Sequence, residues 1–154
     1  MALAVHLKEL ATGFRRLKKY ASQIYVNNTF DACACLHTLY AIECGLKVLH
    51  LSATNIENSD KLFQQNNQLK THDIRLLNDV LKHSIGVNVP QYVLSEDKEP
   101  YRSLRPPKNR IPIKNFHEAL RYGIRINDPD LGAKVQRLVS LCNEIETRFT
   151  REGL

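Results

Sequence analysis

Apolar side chains recur at steps of three and four along four stretches of the chain, which is the spacing of an amphipathic helix. This pattern predicts helices at about residues 2–26, 30–51 and 71–86, and a last helix from Asp128 to about residue 152. The stretch 30–51 is apolar around most of its circumference, so we expect it to be the central, most buried helix. Charged residues interrupt this stretch, so we do not expect it to span a membrane.

Shorter elements are predicted between these helices. They are a short helix at about 59–66, an extended piece between Val87 and Leu94, and a short helix at about 116–126. Five of the six prolines fall in residues 86–116, which indicates a long connection. Together these elements predict an all-α protein. Its expected architecture is an antiparallel bundle of four main helices, with short helices and one long proline-rich connection. We expect a single domain that covers residues 1–154.

Capping residues define the predicted helix starts. Asn27 and Asn28 break the first helix, and Thr29 or Asp31 can cap the second. Thr71 is the predicted N-cap of the third helix. Asp128 is the predicted N-cap of the last one, with Pro129 in its first turn.

Composition adds little to this picture. Of 154 residues, 43% are hydrophobic and 25% are charged, as in ordinary globular proteins. The net charge of +6 is compatible with nucleic-acid binding without requiring it. The four cysteines form no CxxC pair and precede no histidine at zinc-finger spacing, so we expect reduced thiols, no metal and no cofactor. The N-terminus has no signal-peptide pattern, which predicts a cytoplasmic protein without membrane contact.

Three sequence segments resemble a known family. The segment YAIECGLKVL at 40–49 is followed by THDIRLL at 71–77, and LRY stands at 120–122. Together they resemble the HEPN superfamily of prokaryotic helical bundles, over most of the chain. The resemblance implies a bundle that dimerises through its central helices and that works in toxin–antitoxin, CRISPR-linked or other antiphage systems.

Many HEPN-like proteins are metal-independent ribonucleases whose motif is an arginine, four to six residues and a histidine. Arg110 and His117 have six residues between them, which meets this spacing. Ile111 stands where a polar residue is usual, and Pro112 disfavours a helix through the motif. Arg110 and His117 are therefore catalytic candidates that match the motif only in part.

A second candidate is an RNA-binding surface. The segment YRSLRPPKNR combines an aromatic residue with cationic side chains and no carboxylate, as contact with single-stranded RNA requires. Its candidate residues are Tyr101, Arg102, Arg105, Lys108 and Arg110. The alternative is a basic surface loop that docks on a partner protein.

The short helix after this segment adds further cations. On a helix, His117, Arg121 and Arg125 would follow one another at steps of four and form one ridge suited to phosphate, with Arg121 as a further catalytic candidate. Equally, Arg121 can pair with a carboxylate such as Glu43 or Asp73.

Four further residues are predicted to be structural. Glu43 in the central helix is expected to need a partner, either His72 or Lys47 four residues on. Asp73 is favourably placed at the positive end of the third helix. A metal site at His72 and Asp73 is not expected, because further ligands at suitable spacing are missing from the sequence.

Two functions stay open at this stage. One is an RNA-associated, HEPN-like protein of a defence or toxin–antitoxin system, with His117 as acid or base and Arg110 or Arg121 on phosphate. The other is a non-catalytic helical module that forms a homodimer or binds a partner protein of the same system.

Overall fold

The computed structural model describes residues 5–96 and 109–154. These residues are mainly α-helical, with two small antiparallel sheets of two strands each. The helices are α1 (Leu7–Lys18), α2 (Ala32–Thr54), α3 (Ser59–Gln65), α4 (Ile74–Asp79), α5 (Ile113–Arg121) and α6 (Leu131–Glu152). The strands are β1 (Tyr25–Val26), β2 (Thr29–Phe30), β3 (Tyr92–Leu94) and β4 (Arg110–Pro112), and 3-10 turns cover Ala21–Gln23 and Asn67–Leu69.

Helix α2 is the core of the protein, as its apolar pattern predicts. It packs against α1, α4, α5 and α6, and twelve of its residues are buried. Asp31 caps its first turn by accepting a hydrogen bond from Ala34 N at 2.9 Å. By length and apolarity alone α2 passes as a membrane span, with a mean hydropathy of 1.3, but 61% of its most apolar stretch is buried inside the protein.

The first helix is shorter than its apolar pattern predicts. It ends at Lys18, and the chain continues through a 3-10 turn into the hairpin of β1 and β2. Asn27 and Asn28 form the two-residue loop with φ values of 52° and 62°. Two successive left-handed residues give the turn that matches the twist of a hairpin, so the asparagine pair reverses the chain here.

The prediction of a third main helix extending to Gly86 is wrong. Helix α4 ends at Asp79, because the amide of Asn78 donates to Ile85 O and accepts from Ile85 N, both at 2.9 Å. This buried side chain holds the following loop in place of another helical turn. The N-cap is Asp73, which accepts from Arg75 N and Leu76 N, and not Thr71 as predicted.

The segment around the second sheet also differs from the prediction. Within 87–94, only Tyr92–Leu94 forms a strand, and it pairs with Arg110–Pro112 in register Val93 to Ile111. Pro112 ends β4 and is the N-cap of α5, so this helix covers 113–121 instead of 116–126. The chain turns away at Gly123, whose φ of 72° is left-handed.

Helix α6 starts at Leu131, two residues later than predicted. Asp128 lies before the helix and is not its N-cap, because its side chain binds groups of both β3 and α6. Its carboxylate accepts from Leu94 N at 3.0 Å and from Asp130 N at 2.8 Å, and it pairs with Lys134 at 2.6 Å. These bonds hold the pKa of Asp128 below its usual value although burial opposes the charge. They tie β3 to the first turn of α6.

Candidate functional site

A half-buried carboxylate on α2 joins a cluster of polar side chains. Glu43 has a side chain that is 13% exposed. Its Oε1 accepts from Lys47 Nζ at 2.6 Å, and its Oε2 lies 2.8 Å from His72 Nδ1. Both contacts considered for Glu43 from the sequence are therefore present together. The ammonium of Lys47 and the imidazole of His72 together offset the free-energy cost of removing this carboxylate from water.

His72 reaches Glu43 from the loop that precedes α4. The turn is fixed by Thr71 Oγ1, which accepts from Asp73 N at 3.0 Å, and by the capping bonds of Asp73. The imidazole of His72 is 59% exposed. With Nδ1 donating to the carboxylate, Nε2 is left facing no hydrogen-bond partner in the described residues, so this nitrogen is available to a ligand.

His117 comes to the same place from α5. Its ring centroid lies 4.7 Å from that of His72 and 6.2 Å from that of Tyr40. The residue is only 7% exposed, yet within the described chain neither ring nitrogen has a hydrogen bond, and Nε2 lies 4.0 Å from Glu118 Oε1. Buried polar groups are normally satisfied, so an unsatisfied imidazole asks for a functional explanation.

The pKa of His117 is held below its usual value of 6.5. Burial is the main cause, because it disfavours the charged imidazolium, and the charge of a neighbouring His72 adds to the effect. Glu118 and Glu43 act in the opposite direction, and Arg121 lowers the pKa further. His117 is therefore neutral near pH 7 and can accept a proton.

These side chains line a shallow hollow between α2, the loop before α4, and α5. The seven lining residues are Leu39, Tyr40, Glu43, His72, Ile74, Ile113 and His117. Four of them are apolar or aromatic, and the other three supply two imidazoles and one carboxylate. A ligand such as a phosphodiester would lie on this surface and not inside an enclosed cavity.

Arg110, the arginine of the predicted motif, lies elsewhere. Arg110 is on β4, and its guanidinium lies 4.3 Å from the ring centre of Tyr92, which Lys134 covers at 4.2 Å. Among the described residues, no ion pair, hydrogen bond or ring contact joins Arg110 to His117. Arg110 therefore packs on Tyr92 of the neighbouring strand, and His117 lies against a different partner, His72.

The predicted ridge of His117, Arg121 and Arg125 is present only in its first half. Arg121 is the last residue of α5 and its guanidinium lies 5.7 Å from the ring centre of Tyr122. No carboxylate of the described residues pairs with it, so the predicted partners Glu43 and Asp73 are not its partners. Arg125 follows the turn at Gly123 and is off the helix, where its carbonyl accepts from Glu96 N.

Four of the predicted RNA-binding residues, Tyr101, Arg102, Arg105 and Lys108, lie outside the described residues. The basic residues of α1 are partly engaged within the protein. Lys18 pairs with Glu146, and Arg15 donates to Leu154 O at 2.5 Å.

The approach of His72 to His117 is the feature that sequence reasoning missed. The sequence did signal that Glu43 needs a partner, but nothing in it places α5 against the loop before α4. No group of three or more histidine, cysteine or carboxylate side chains that suits a metal ion occurs in the described ranges. Comparisons with family models, curated proteins and solved structures found no match to this chain.

Proposed function

We propose that this chain is a HEPN-like, RNA-associated protein that cleaves RNA without a metal ion, using His72 and His117 as an acid–base pair. The observation that carries the proposal is the 4.7 Å approach of the two imidazoles, of which one is buried without a hydrogen bond and the other is backed by Glu43. Two adjacent imidazoles with different environments are suited to opposite proton transfers.

The roles follow from the environments of the two rings. His117 is neutral and takes the proton of the ribose 2′-hydroxyl. The 2′-oxygen then bonds to phosphorus while the P–O5′ bond breaks. His72 gives a proton to the leaving O5′. Glu43 orients the ring of His72 through Nδ1, as a carboxylate does behind a catalytic histidine. The products are a 2′,3′-cyclic phosphate and a 5′-hydroxyl.

Arg121 is the proposed phosphate ligand. It stands one turn after His117 on α5, its side chain is exposed, and no carboxylate of the described residues neutralises it. A guanidinium at this point can pair with two phosphate oxygens and stabilise the developing negative charge. Arg121 thus takes the role that the sequence pattern divided between Arg110 and Arg121.

The wider setting belongs to the same proposal. It includes an antiparallel arrangement of the main helices, a homodimer, a cytoplasmic location and a place in a defence or toxin–antitoxin system. Support comes from the segments at 40–49 and 71–77, because Glu43 of the first and His72 of the second meet in the structure.

The second candidate is a non-catalytic interaction module. The observation in its favour is the exposure of apolar side chains: Tyr122 is 73% exposed and Val26 is 53% exposed. Under this alternative, Glu43 and the two histidines only join α2, α4 and α5, and exposed apolar residues bind a partner protein.

Cleavage of a labelled oligonucleotide that contains one ribose among deoxyriboses tests the proposal. Wild-type protein in EDTA should cut only at the ribose, and His72→Asn and His117→Asn should each lower the rate about 100-fold or more. His83→Asn is the matched control, because His83 is exposed in the loop after α4 and does not line the hollow. Equal cleavage by all four proteins would reveal a contaminant and overturn the assignment.

A salt series with uncleavable RNA separates the two halves of the proposal. Affinity that falls steeply with salt indicates phosphate contacts. Salt-dependent binding without cleavage would remove the catalytic half and leave an RNA-binding protein. Absence of binding at low salt would overturn both halves in favour of the interaction module.

A further inference from the structure

We infer that Tyr122 and the groove beside it form a subsite for an unpaired nucleobase, so that the substrate is single-stranded RNA. This inference rests on the proposed function of the His72–His117 site. The inference adds a substrate class and a binding residue outside the hollow to that proposed function. The starting point is Tyr122, the most exposed of the large hydrophobic residues in the described chain.

Tyr122 is presented to solvent by the end of α5. It is the C-cap of this helix, and the left-handed turn at Gly123 takes the chain away behind it. The ring is 73% exposed, and the guanidinium of Arg121 lies 5.7 Å from its centre. An aromatic face beside a free cation is the arrangement on which bases of single strands stack.

An open groove of about 370 Å³ is lined by Leu120 and Gly123, which lie on either side of Arg121 and Tyr122 in the chain. Its apolar wall consists of Phe30, Leu120, Ile124 and Ile126. This volume lies within the range of small-ligand sites and accommodates a nucleobase with its ribose. The apolar wall favours a flat, weakly hydrated group such as a base over a bare phosphate.

Two charged residues complete the groove with opposite roles. Arg125 supplies a cation for the phosphate attached to the base. Glu96 supplies an acceptor for the exocyclic amine of cytosine, adenine or guanine. Arg121 beside the ring of Tyr122 and Arg125 in the groove are both exposed, so their charges suit a polyanion.

The groove and the histidine hollow lie along one face of α2. Ala32 lines the groove, while Tyr40 and Glu43 line the hollow. Positions 32, 36, 40 and 43 are separated by four, four and three residues, and this spacing places them on one face of an α-helix. Ala32 and Tyr40 are about 12 Å apart along the helix axis, at 1.5 Å per residue.

This distance suits a continuous strand. At about 3.4 Å per stacked nucleotide, roughly three to four nucleotides cover it. A strand with its scissile phosphate at His72 and His117 therefore delivers a nearby base to Tyr122. A duplex keeps its bases paired and stacked inside, so it cannot use the subsite.

The test uses an oligonucleotide of about 12 nucleotides with 2′-O-methyl riboses, which has no free 2′-hydroxyl and is not cut. A 2-aminopurine base reports stacking through loss of its fluorescence. Wild-type protein should quench it and bind the single strand. Tyr122→Ala should abolish the quenching and weaken binding about tenfold or more, because stacking contributes that much per base.

Tyr122→Phe is the matched control, because it keeps the aromatic face and should behave as wild type. A hairpin of the same composition should bind equally to wild type and Tyr122→Ala. Circular dichroism of the variants confirms that the exposed substitution leaves the fold intact. Unchanged single-strand binding and quenching in Tyr122→Ala would overturn the subsite.

Failure of this inference is distinguishable from failure of the proposed function. If wild type cuts at a single ribose while Tyr122→Ala binds and cuts equally well, the subsite is wrong and the catalytic pair stands. If no protein cuts RNA but quenching depends on Tyr122, the base subsite stands and the catalytic pair is wrong. If neither RNA readout responds, Tyr122 belongs to a protein-binding surface and both proposals fall.

Discussion

Oε2 of Glu43 lies 2.8 Å from Nδ1 of His72, so a carboxylate in the core helix fixes an imidazole that stands in a loop. The same carboxylate also holds Lys47. Removing its charge affects the orientation of the imidazole and leaves a half-buried ammonium without its partner. Stability and chemistry are therefore linked at this one residue.

Glu43→Gln should lower the free energy of unfolding by about 1–2 kcal/mol, because it leaves the Lys47 ammonium, 12% exposed, without a counter-charge. If His72 is catalytic, the cleavage rate should also fall by about tenfold or more, because the amide no longer holds the imidazole in its orientation as the carboxylate does. Urea unfolding near pH 7.5 and single-turnover cleavage measure the two effects.

The matched control for this change is Glu57→Gln. Glu57 and Lys61 form an ion pair at the same spacing of four residues, but their side chains are 74% and 60% exposed. Such surface pairs contribute little, so the unfolding free energy should change by less than about 0.5 kcal/mol. Equal effects of the two substitutions would show that burial of Glu43 does not matter.

A second prediction concerns the titration of His117. Burial lowers its pKa, as does the nearby charge of His72, so the imidazole should titrate below the ordinary 6.5. Histidine resonances followed by NMR across pH measure this without any activity assay. In Arg121→Gln the pKa should move upward, since Arg121 opposes the imidazolium.

The pH profile of cleavage should follow this titration. The acidic limb of the pH profile of kcat/KM reports the pKa of the general base in the free enzyme. This limb should lie below pH 6.5, at the pKa that NMR gives for His117. A limb that moves in Arg121→Gln together with the NMR pKa supports His117 as the base. Titration of His117 at or above 6.5 would contradict the electrostatics described for the site.

A third prediction links a buried histidine to stability. His50 is 5% exposed, and its Nε2 lies 2.7 Å from Leu77 O. Burial lowers its pKa below 6.5, although the bond to the backbone acts in the opposite direction. In the unfolded chain the group titrates normally, so the unfolded state binds more protons between the folded pKa and 6.5.

The sign of the pH effect follows directly. The stabilisation is complete above pH 6.5 and is lost as pH falls towards the folded pKa of His50. Urea midpoints at about pH 7.5 and 5.5 measure this loss. His50→Gln keeps an amide for Leu77 O but removes the titration, so its midpoints should depend less on pH. His83→Asn, an exposed change, should keep the wild-type dependence; identical dependence in His50→Gln would exclude His50 as a source.

The difference between predicted and observed structure has physical causes in particular residues. The hydrophobic period located α2 and α6 because these helices bury long apolar stripes. The spacing of apolar residues does not predict where polar side chains form hydrogen bonds to the backbone and so end a helix. Asn78 ends α4 by bonding to Ile85. Asn27 and Asn28, which were predicted to break the first helix, form the loop of a hairpin that includes the last residues predicted for that helix.

The site was predicted in the same partial way. A glutamate in an apolar helix needs a partner, and this argument led to Lys47 and His72. Contacts between separate elements require the tertiary structure. The meeting of His72 with His117 and the stacking of Arg110 on Tyr92 are of this kind.

The last prediction concerns the close packing of three helices at Gly45. A Cβ built on Gly45 of α2 would lie 2.5 Å from Ile145 Cγ2 of α6 and 2.9 Å from Phe14 Cδ2 of α1. All three residues are buried, so neither neighbour can move away without disturbing the core. Gly45→Ala should therefore destabilise the protein by about 1–3 kcal/mol, although alanine favours a helix.

Gly132→Ala provides the matched comparison, because Gly132 also lies in a helix but nothing is within 4 Å of its Cβ position. There, the same substitution should raise the free energy of unfolding by up to about 1 kcal/mol through helix propensity alone. Opposite signs in urea unfolding are expected for the two variants. A stabilising Gly45→Ala would mean that α1 and α6 do not approach α2 as closely as described, because the added methyl group leaves no other route to a gain.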